Sequence, residues 1–235
     1  MNYQKVKNVP GLLSVVVPVH IIYPELNQVR DALQRATSPF EVLLVTQETL
    51  KHALDPTLPH EKIIITSKQG RGQVLAEGVR EAHGDTVIFV HADTILPNNW
   101  DRAIIEALND ETVLGGGFSL TMDETNVYLK LLIALSNVLF YFHRELWGDR
   151  ALFVRSAFMK HHLPEFEIPM MEDVRLTAMM KKHGKVVLLK EKVITSAATF
   201  RKYGLLHNTI RILLVRLWYE VGRDLQKIYE YYYGK

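Results

Sequence analysis

The sequence contains no cysteine, which removes disulfides, thiolate metal sites and cysteine nucleophiles together. It also lacks a hydrophobic run long enough to cross a bilayer. Its most apolar stretch, residues 131–142, falls well short of the roughly 20 residues a span requires. The opening Met1-Asn-Tyr-Gln-Lys-Val-Lys7 has no apolar signal-peptide core, so a cytoplasmic location is expected. A net charge of only +2, with no dense Lys/Arg cluster before the C-terminal part, argues against nucleic acid as a partner. Phosphate-binding signatures are missing too. Gly70-Arg71-Gly72 is followed by Leu75 where a dinucleotide fingerprint needs its third glycine, and no P-loop Gly-Lys-Ser/Thr occurs.

What remains is an ordinary globular composition, 48% hydrophobic and 23% charged over 235 residues, enough to bury one large core or two intimate halves. Residues 12–19 form a continuous apolar run of the kind buried on both faces of a parallel sheet, with Pro18 at its end where a missing N–H does least harm. Helical spacing over 25–35 stops at Ser38-Pro39, and strands are expected over 40–46 and 62–66. Helical spacing returns over 72–82, where Gly70 and Gly72 make a tight turn into the helix and Gly78 allows close packing on a strand. This alternation of strand and helix predicts a doubly wound parallel sheet.

Residues 86–90 form the strand on which the rest is hung, because it delivers His91-Ala92-Asp93-Thr94 to its C-terminal end. Asp93 either starts a turn with Thr94 or stands where ligands bind in open α/β sheets, outside the carboxyl ends of the strands. Beyond it come a short helix over 97–108, a glycine-led strand over 115–121, a long apolar helix over 127–142 and a strand over 151–154. A polar loop with Pro164 and Pro169 follows, then a helix over 174–182 closed by Gly184. Glu172 and Asp173 at the start of that helix suit its dipole, by about 0.3–1 kcal/mol each, without any further role. Residues 205–221 carry Arg211 and Arg216 among apolar residues. They make either a basic amphipathic helix on anionic lipid or, the favoured reading, a helix packed on the sheet with its arginines solvated. The Tyr229–Tyr233 cluster is either a fraying tail or an interface anchor.

Taken in order, Ser14-Val-Val-Val-Pro18, the helix with Gly70-Arg71, His91-Ala92-Asp93-Thr94, Trp147-Gly148-Asp149, Met171-Glu172-Asp173 and Thr195-Ser196 resemble family 2 glycosyltransferases of the GT-A fold. The branch is one with HADT, GD and MED motifs, and the likeness spans nearly the whole chain. The resemblance implies one GT-A-like domain over residues 1–235: a mostly parallel central sheet flanked by helices, with a nucleotide-sugar half (1–110), an acceptor half (111–235) and a C-terminal helical extension. It implies a nucleotide-sugar donor held by Pro18, His20, Thr46, Gly70, Arg71, Asp93, Gly148 and Asp149. Asp93 would bind Mg²⁺ or Mn²⁺ on the diphosphate, Asp173 would be the base for an acceptor hydroxyl, and Glu172 would be its helix-end partner. Arg71 and Arg150 either add charge near the phosphates or are simply solvated.

The sequence departs from that pattern in places. His20-Ile-Ile-Tyr-Pro-Glu25 looks like an insertion that displaces an acidic residue to Glu25. Thr46-Gln47 stands where the family carries a nucleobase-reading Asp, Ala76 where Asn is usual, and Ser196-Ala197-Ala198-Thr199 where Ser-Ala-Arg-Arg is found. A non-catalytic nucleotide- or sugar-binding protein on the same fold is the alternative, and a nucleotidyltransferase a weaker one.

Overall fold

The computed structural model describes residues 9–21, 24–124 and 126–234. The Met1–Lys7 segment and Ile22-Tyr23 of the apparent insertion lie outside these described residues. The first half runs β1 (Val9–Val19), α1 (Leu26–Leu33), β2 (Phe40–Thr46), β3 (Glu61–Ile65), α2 (Arg71–Glu81) and β4 (Gly84–Phe89). The second runs β5 (Thr94–Ile95), α3 (Trp100–Leu108), β6 (Val113–Met122), α4 (Val127–His143), β7 (Phe153–Arg155), α5 (Ser156–His161), α6 (Leu163–Phe166), α7 (Glu172–His183), β8 (Lys185–Thr195), α8 (Ala198–Tyr203), α9 (Leu205–Glu220) and α10 (Leu225–Tyr233).

The eight strands form one sheet in the order β3-β2-β1-β4-β7-β6-β8-β5. β3, β2, β1 and β4 are parallel throughout, as the alternating sequence pattern requires. β7 then runs antiparallel to both β4 and β6, β8 is parallel to β6, and β5 closes the edge antiparallel to β8. The expected doubly wound sheet therefore covers the first half only, and the second half is mixed. This is the α/β architecture of GT-A-like glycosyltransferases, a central sheet flanked by helices.

The apolar runs of β1 and β2 are buried on both sides because each face of the sheet carries helices. Val15 and Val17 join Val42, Leu44, Trp100 and Ile104 in one core, while Val16 joins Leu43, Val45, Leu75 and Val79 in the other. Successive strand residues point to opposite faces, so an unbroken apolar run serves two cores at once. Leu58, Phe166 and Ile168 show that the loops with Pro59, Pro164 and Pro169 also pack inward. The polar loop expected around Pro164 contains two short helices, α5 and α6.

β8 is absent from the sequence-level expectation. Its pairing with β6 jumps from Phe118↔Leu189 to Ser119↔Lys192, so Lys190 and Glu191 bulge out of register. That bulge breaks the two-residue alternation by which a strand is recognised.

Gly78 holds α2 against the sheet. A Cβ there would lie 2.3 Å from Val16 Cγ1 and 3.1 Å from Val45 Cγ2, which bears out the expectation of close helix–strand packing. Gly78→Ala is therefore expected to cost about 1–3 kcal/mol through overpacking. Urea denaturation measures it, and an unchanged midpoint would contradict the packing account.

Candidate active site

A cleft of about 540 Å³ opens at the C-terminal ends of β1, β2 and β4, the place where open α/β sheets bind ligands. Pro18 and His20 extend from β1, Thr46 and Gln47 from β2, and His91 and Asp93 from β4. Arg71 enters from the first residue of α2, and Glu172 and Asp173 from the first turn of α7. Trp147, Gly148 and Asp149 complete the floor. Gly70 alone of the residues expected to hold the donor does not line the cleft. Its role is contact: a Cβ there would lie 2.4 Å from Pro169 Cα, and one on Gly72 2.5 Å from the Ile168 carbonyl oxygen. Gly70 has φ −69°, which any residue adopts, so close approach and not turn geometry demands glycine.

Arg71 is the centre of the electrostatics. Its Nε lies 3.1 Å from Glu172 Oε1 and its Nη1 3.7 Å from Asp173 Oδ2. Nη2 faces His91 Nε2 at 2.5 Å. A guanidinium has only donors, so His91 accepts there as a neutral imidazole, and burial together with the Arg71 charge pushes its pKa well down. Gly148 makes the arrangement possible, since a Cβ at that position would sit 1.8 Å from Arg71 Nη2. The glycine also donates its N–H to Asp173 Oδ2 at 2.7 Å, while Val174 N–H binds Asp173 Oδ1 at 2.7 Å. Met171, which leads into the acidic pair, is left-handed at φ 64°. Such a conformation in a non-glycine residue costs about 1–3 kcal/mol and persists where surrounding contacts enforce it.

The adjacent acids differ sharply. The Glu172 side chain is 2% exposed and that of Asp173 12%. Neither Glu172 oxygen has a hydrogen-bond partner among the described residues, and burial pushes its pKa up to about 7 against the opposing pull of Arg71. Asp173 is held at both oxygens by backbone N–H groups and still reaches the cleft.

Burial raises the Asp93 pKa to about 6, and the charges of Glu25 and Asp149 add to that rise. The Asp149 pKa is raised as well, first by burial and then by Asp173, and its Oδ1 is buried with no hydrogen-bond partner. Among the described residues no group of three or more His, Asp or Glu is placed to hold a metal by itself.

Two expectations about charge and polarity change. Arg150 neither faces the cleft nor is solvated. It is 1% exposed and donates to Asn137 Oδ1 at 2.7 Å, Ser136 Oγ at 2.7 Å and the Phe118 carbonyl at 3.3 Å. Thr46 lines the cleft, but its hydroxyl is committed to the Val19 carbonyl at 2.7 Å, so it has no proton to offer a nucleobase. Gln47, next to it, also lines the cleft.

The C-terminal helices form a wall of the cleft that motif reading did not place there. Asn208, Ile212 and Val215 of α9 and Tyr229, Tyr232 and Tyr233 of α10 line it, and Tyr229 Oη donates to the Gln69 carbonyl at 3.0 Å. No local signal marked them: Asn208, 1% exposed, stands between the polar His207 and Thr209 in a helix that also carries Arg211 and Arg216. Arg211 donates to Asn208 and lies over Tyr203 and Tyr232, while Arg216 pairs with Glu145 and Glu220. The arginines of this segment are thus engaged by protein groups, contrary to the expectation that they are solvated.

Replacing Arg71 tests the balance of charge. Arg71→Met leaves buried carboxylates without their cation and is expected to cost about 3–5 kcal/mol near pH 8. Glu172 would then titrate higher still in the folded chain, above its ordinary value of 4.5. A raised carboxyl destabilises the folded state above its unfolded pKa, and protonation relieves this as pH falls, so the deficit should shrink toward pH 5. Urea denaturation at both pH values measures it, and a deficit independent of pH would contradict the role given to Arg71.

Comparison with known proteins supplies the family. Residues 14–161 match the model described as glycosyl transferase family 2. No curated protein sequence matches the chain. Among solved structures, S. aureus TarS is similar with TM-score 0.58 at 16% identity, over 88% of this chain and 39% of that one. S. aureus TarS 1-349 in complex with UDP-GlcNAc gives 0.54 at 16% identity, over 78% and 58%. GalNAc-T7 with UDP, GalNAc and Mn²⁺ gives 0.58 at 15% identity, over 79% and 43%. This chain therefore spans well under two thirds of those proteins, and at such identities the likeness is one of fold. With well over half its residues matched by the family model, the chain belongs to glycosyl transferase family 2.

Proposed function

We propose that this protein transfers a sugar from a nucleotide-sugar to an acceptor hydroxyl with inversion at the anomeric carbon, using residues 1–110 for the donor and 111–235 for the acceptor. The observation that carries the proposal is the placement of two separate carboxylate centres on one cleft, Asp93 at the end of β4 and Asp173 at the start of α7. UDP-GlcNAc bound to TarS and UDP with Mn²⁺ bound to GalNAc-T7, on similar folds, support the donor class.

The residues fit a divalent cation. A Mg²⁺ or Mn²⁺ ion bridging a diphosphate needs only one or two protein carboxylates, its other ligands being phosphate oxygens and water. Asp93, raised by burial and the charges of Glu25 and Asp149, and the unpartnered Asp149 Oδ1 are acceptor oxygens of the hard type such an ion takes. When bound, the ion neutralises charge that develops on the leaving diphosphate. Pro18, His20 and Gln47 shape the nucleoside end of the cleft, and Arg71 adds a fixed positive charge between the two carboxylate centres.

Asp173 is the general base in this reading. Backbone N–H groups of Gly148 and Val174 fix its carboxylate, and its exposed edge takes the proton of the attacking hydroxyl. Glu172, buried against Arg71, positions that arginine and does not touch substrate. The non-catalytic alternative shares every donor contact but gives Asp173 no work.

Two outcomes test the proposal. Calorimetry of nucleoside diphosphate binding is expected to show dependence on Mg²⁺ or Mn²⁺, lost on chelation and weakened about tenfold or more by Asp93→Asn. Equal affinity in all conditions would remove the metal role. Asp173→Asn is expected to lower turnover by about 10²–10⁴-fold with donor affinity nearly unchanged, and Glu172→Gln by less. Wild-type turnover in both variants would reduce the acidic pair to a helix start and favour the binding-protein alternative.

A further inference from the structure

α4 and α9 each carry an exposed apolar stripe along their full length. On α4 it is Tyr128, Leu131, Leu135, Val138 and Phe142, 39–77% exposed. On α9 and its C-cap it is Leu206, Ile210, Leu213, Leu217 and Val221, 48–66% exposed. Spacings of three and four residues place each set on one helical face. The helices are neighbours. Tyr128 Oη donates to Thr209 Oγ1 at 3.2 Å, Leu129 and Leu132 pack with Leu205 and Ile212, and Arg216 grips Glu145 just past α4 through bonds of 3.0 and 2.7 Å. Apart from Tyr128, whose hydroxyl reaches Thr209 from the edge of the α4 stripe, the residues named for that packing, and Asn208 and Val215 that line the cleft, are not those of the stripes. Soluble monomers seldom expose a patch of this kind without a use for it.

The charges around the patch select the occupant. α4 contains no Asp or Glu, and the single acid of α9, Glu220, is paired with Arg216 at 2.5 Å. Lys130 and Arg144 flank the α4 stripe and are exposed; Lys202 and Arg223, near the two ends of α9, are exposed as well. Lys202 lies 5.0 Å from the Tyr203 ring and Arg223 4.7 Å from that of Trp218. Among the described residues none of these four cations forms an ion pair with a carboxylate. A second copy of the chain would bring these like charges together across the contact. An anionic bilayer meets them with headgroup phosphates, takes the apolar stripes into its acyl boundary and suits tyrosine and tryptophan at the rim. No described helix is long and apolar enough to cross a membrane, so α4 and α9 would lie in its surface.

We propose that the joined outer faces of α4 and α9 dock this protein on an anionic lipid bilayer. The inner face of α9 lines the cleft while its outer face meets lipid, so docking brings the cleft to the membrane surface and suits an acceptor hydroxyl borne on a lipid. The acceptor class rests on the glycosyl-transfer reading above; the docking does not. The binding chemistry is also distinct from that of a basic helix: hydrophobic contact of two helices supplies the adhesion, and the flanking cations, not Arg211 or Arg216, supply the preference for negative charge.

The test is co-sedimentation of the full chain with vesicles of phosphatidylcholine, with and without phosphatidylglycerol. Binding to the anionic vesicles is expected, about tenfold or more weaker to neutral ones and reduced by added salt. Leu131→Glu combined with Leu213→Glu is expected to abolish it with no loss of thermal stability, since both side chains are exposed, while Ile105→Glu, an exposed site on α3, should bind like wild type. Absence of binding to anionic vesicles overturns the proposal. So does sedimentation velocity that finds a dimer dispersed by the same double substitution when no vesicle binding occurs, which would assign the patch to a second copy. Nucleoside diphosphate release from nucleotide-sugars, measured without lipid, separates the two readings: docking without release spares this inference and sinks the transferase, and release without docking does the reverse.

Discussion

One cation facing buried carboxylates is the constraint around which the cleft is built. Arg71 begins α2, the helix that leads into β4, and Glu172 and Asp173 begin α7, the helix that leads into β8. A carboxylate as buried as Glu172 is tolerated only with a partner, because an unpaired charge removed from water costs several kcal/mol. The partner in turn needs room, so Gly148 gives up a side chain to the guanidinium and Gly70 and Gly72 let the start of α2 lie against the 166–172 backbone. The left-handed Met171 belongs to the same requirement, since it turns the chain so that both acids enter the cleft from one helical turn. Arg71 and Glu172 meet at 3.1 Å without an aligned hydrogen bond, so the contact is one of charge.

The two carboxylate centres have different environments, and this difference gives the cleft a direction. Asp93 is raised by burial and the charges of Glu25 and Asp149, Asp149 by burial and the charge of Asp173, and Asp149 Oδ1 has no hydrogen-bond partner among the described residues. They therefore favour a cation or a proton. Asp173, with a backbone N–H on each oxygen, is fixed in position. In the proposed function a donor diphosphate takes the first centre and an acceptor hydroxyl the second.

How much of this was legible in the sequence depends on whether the signal was local. The runs of β1, β2 and β4 declare themselves because burial on two faces needs unbroken apolar residues. Gly78 was readable for the same reason, as a glycine where a helix meets a strand. The carboxylates Asp93, Glu172 and Asp173 were found at strand and helix ends, where such residues are placed. Contacts between distant segments were not legible. Nothing local to Arg150 says that Asn137 and Ser136 will satisfy it in the core, or that Thr46 will spend its hydroxyl on Val19. The bulge at Lys190-Glu191 hid β8, and the C-terminal helices were recognisable as helices but not as a wall of the cleft. Glu172, Asp173 and those helices also lie beyond the residues matched by the family model.

The central claim, that Arg71 and Glu172 act as one unit across the two halves of the site, is open to a double-mutant cycle. Stability of wild type, Arg71→Met, Glu172→Gln and the double variant would be measured by urea denaturation near neutral pH. The two side chains are in contact, so the double variant should be more stable than the sum of the single losses by about 1–3 kcal/mol. Additivity within about 0.5 kcal/mol, the behaviour of independent sites, would contradict the account.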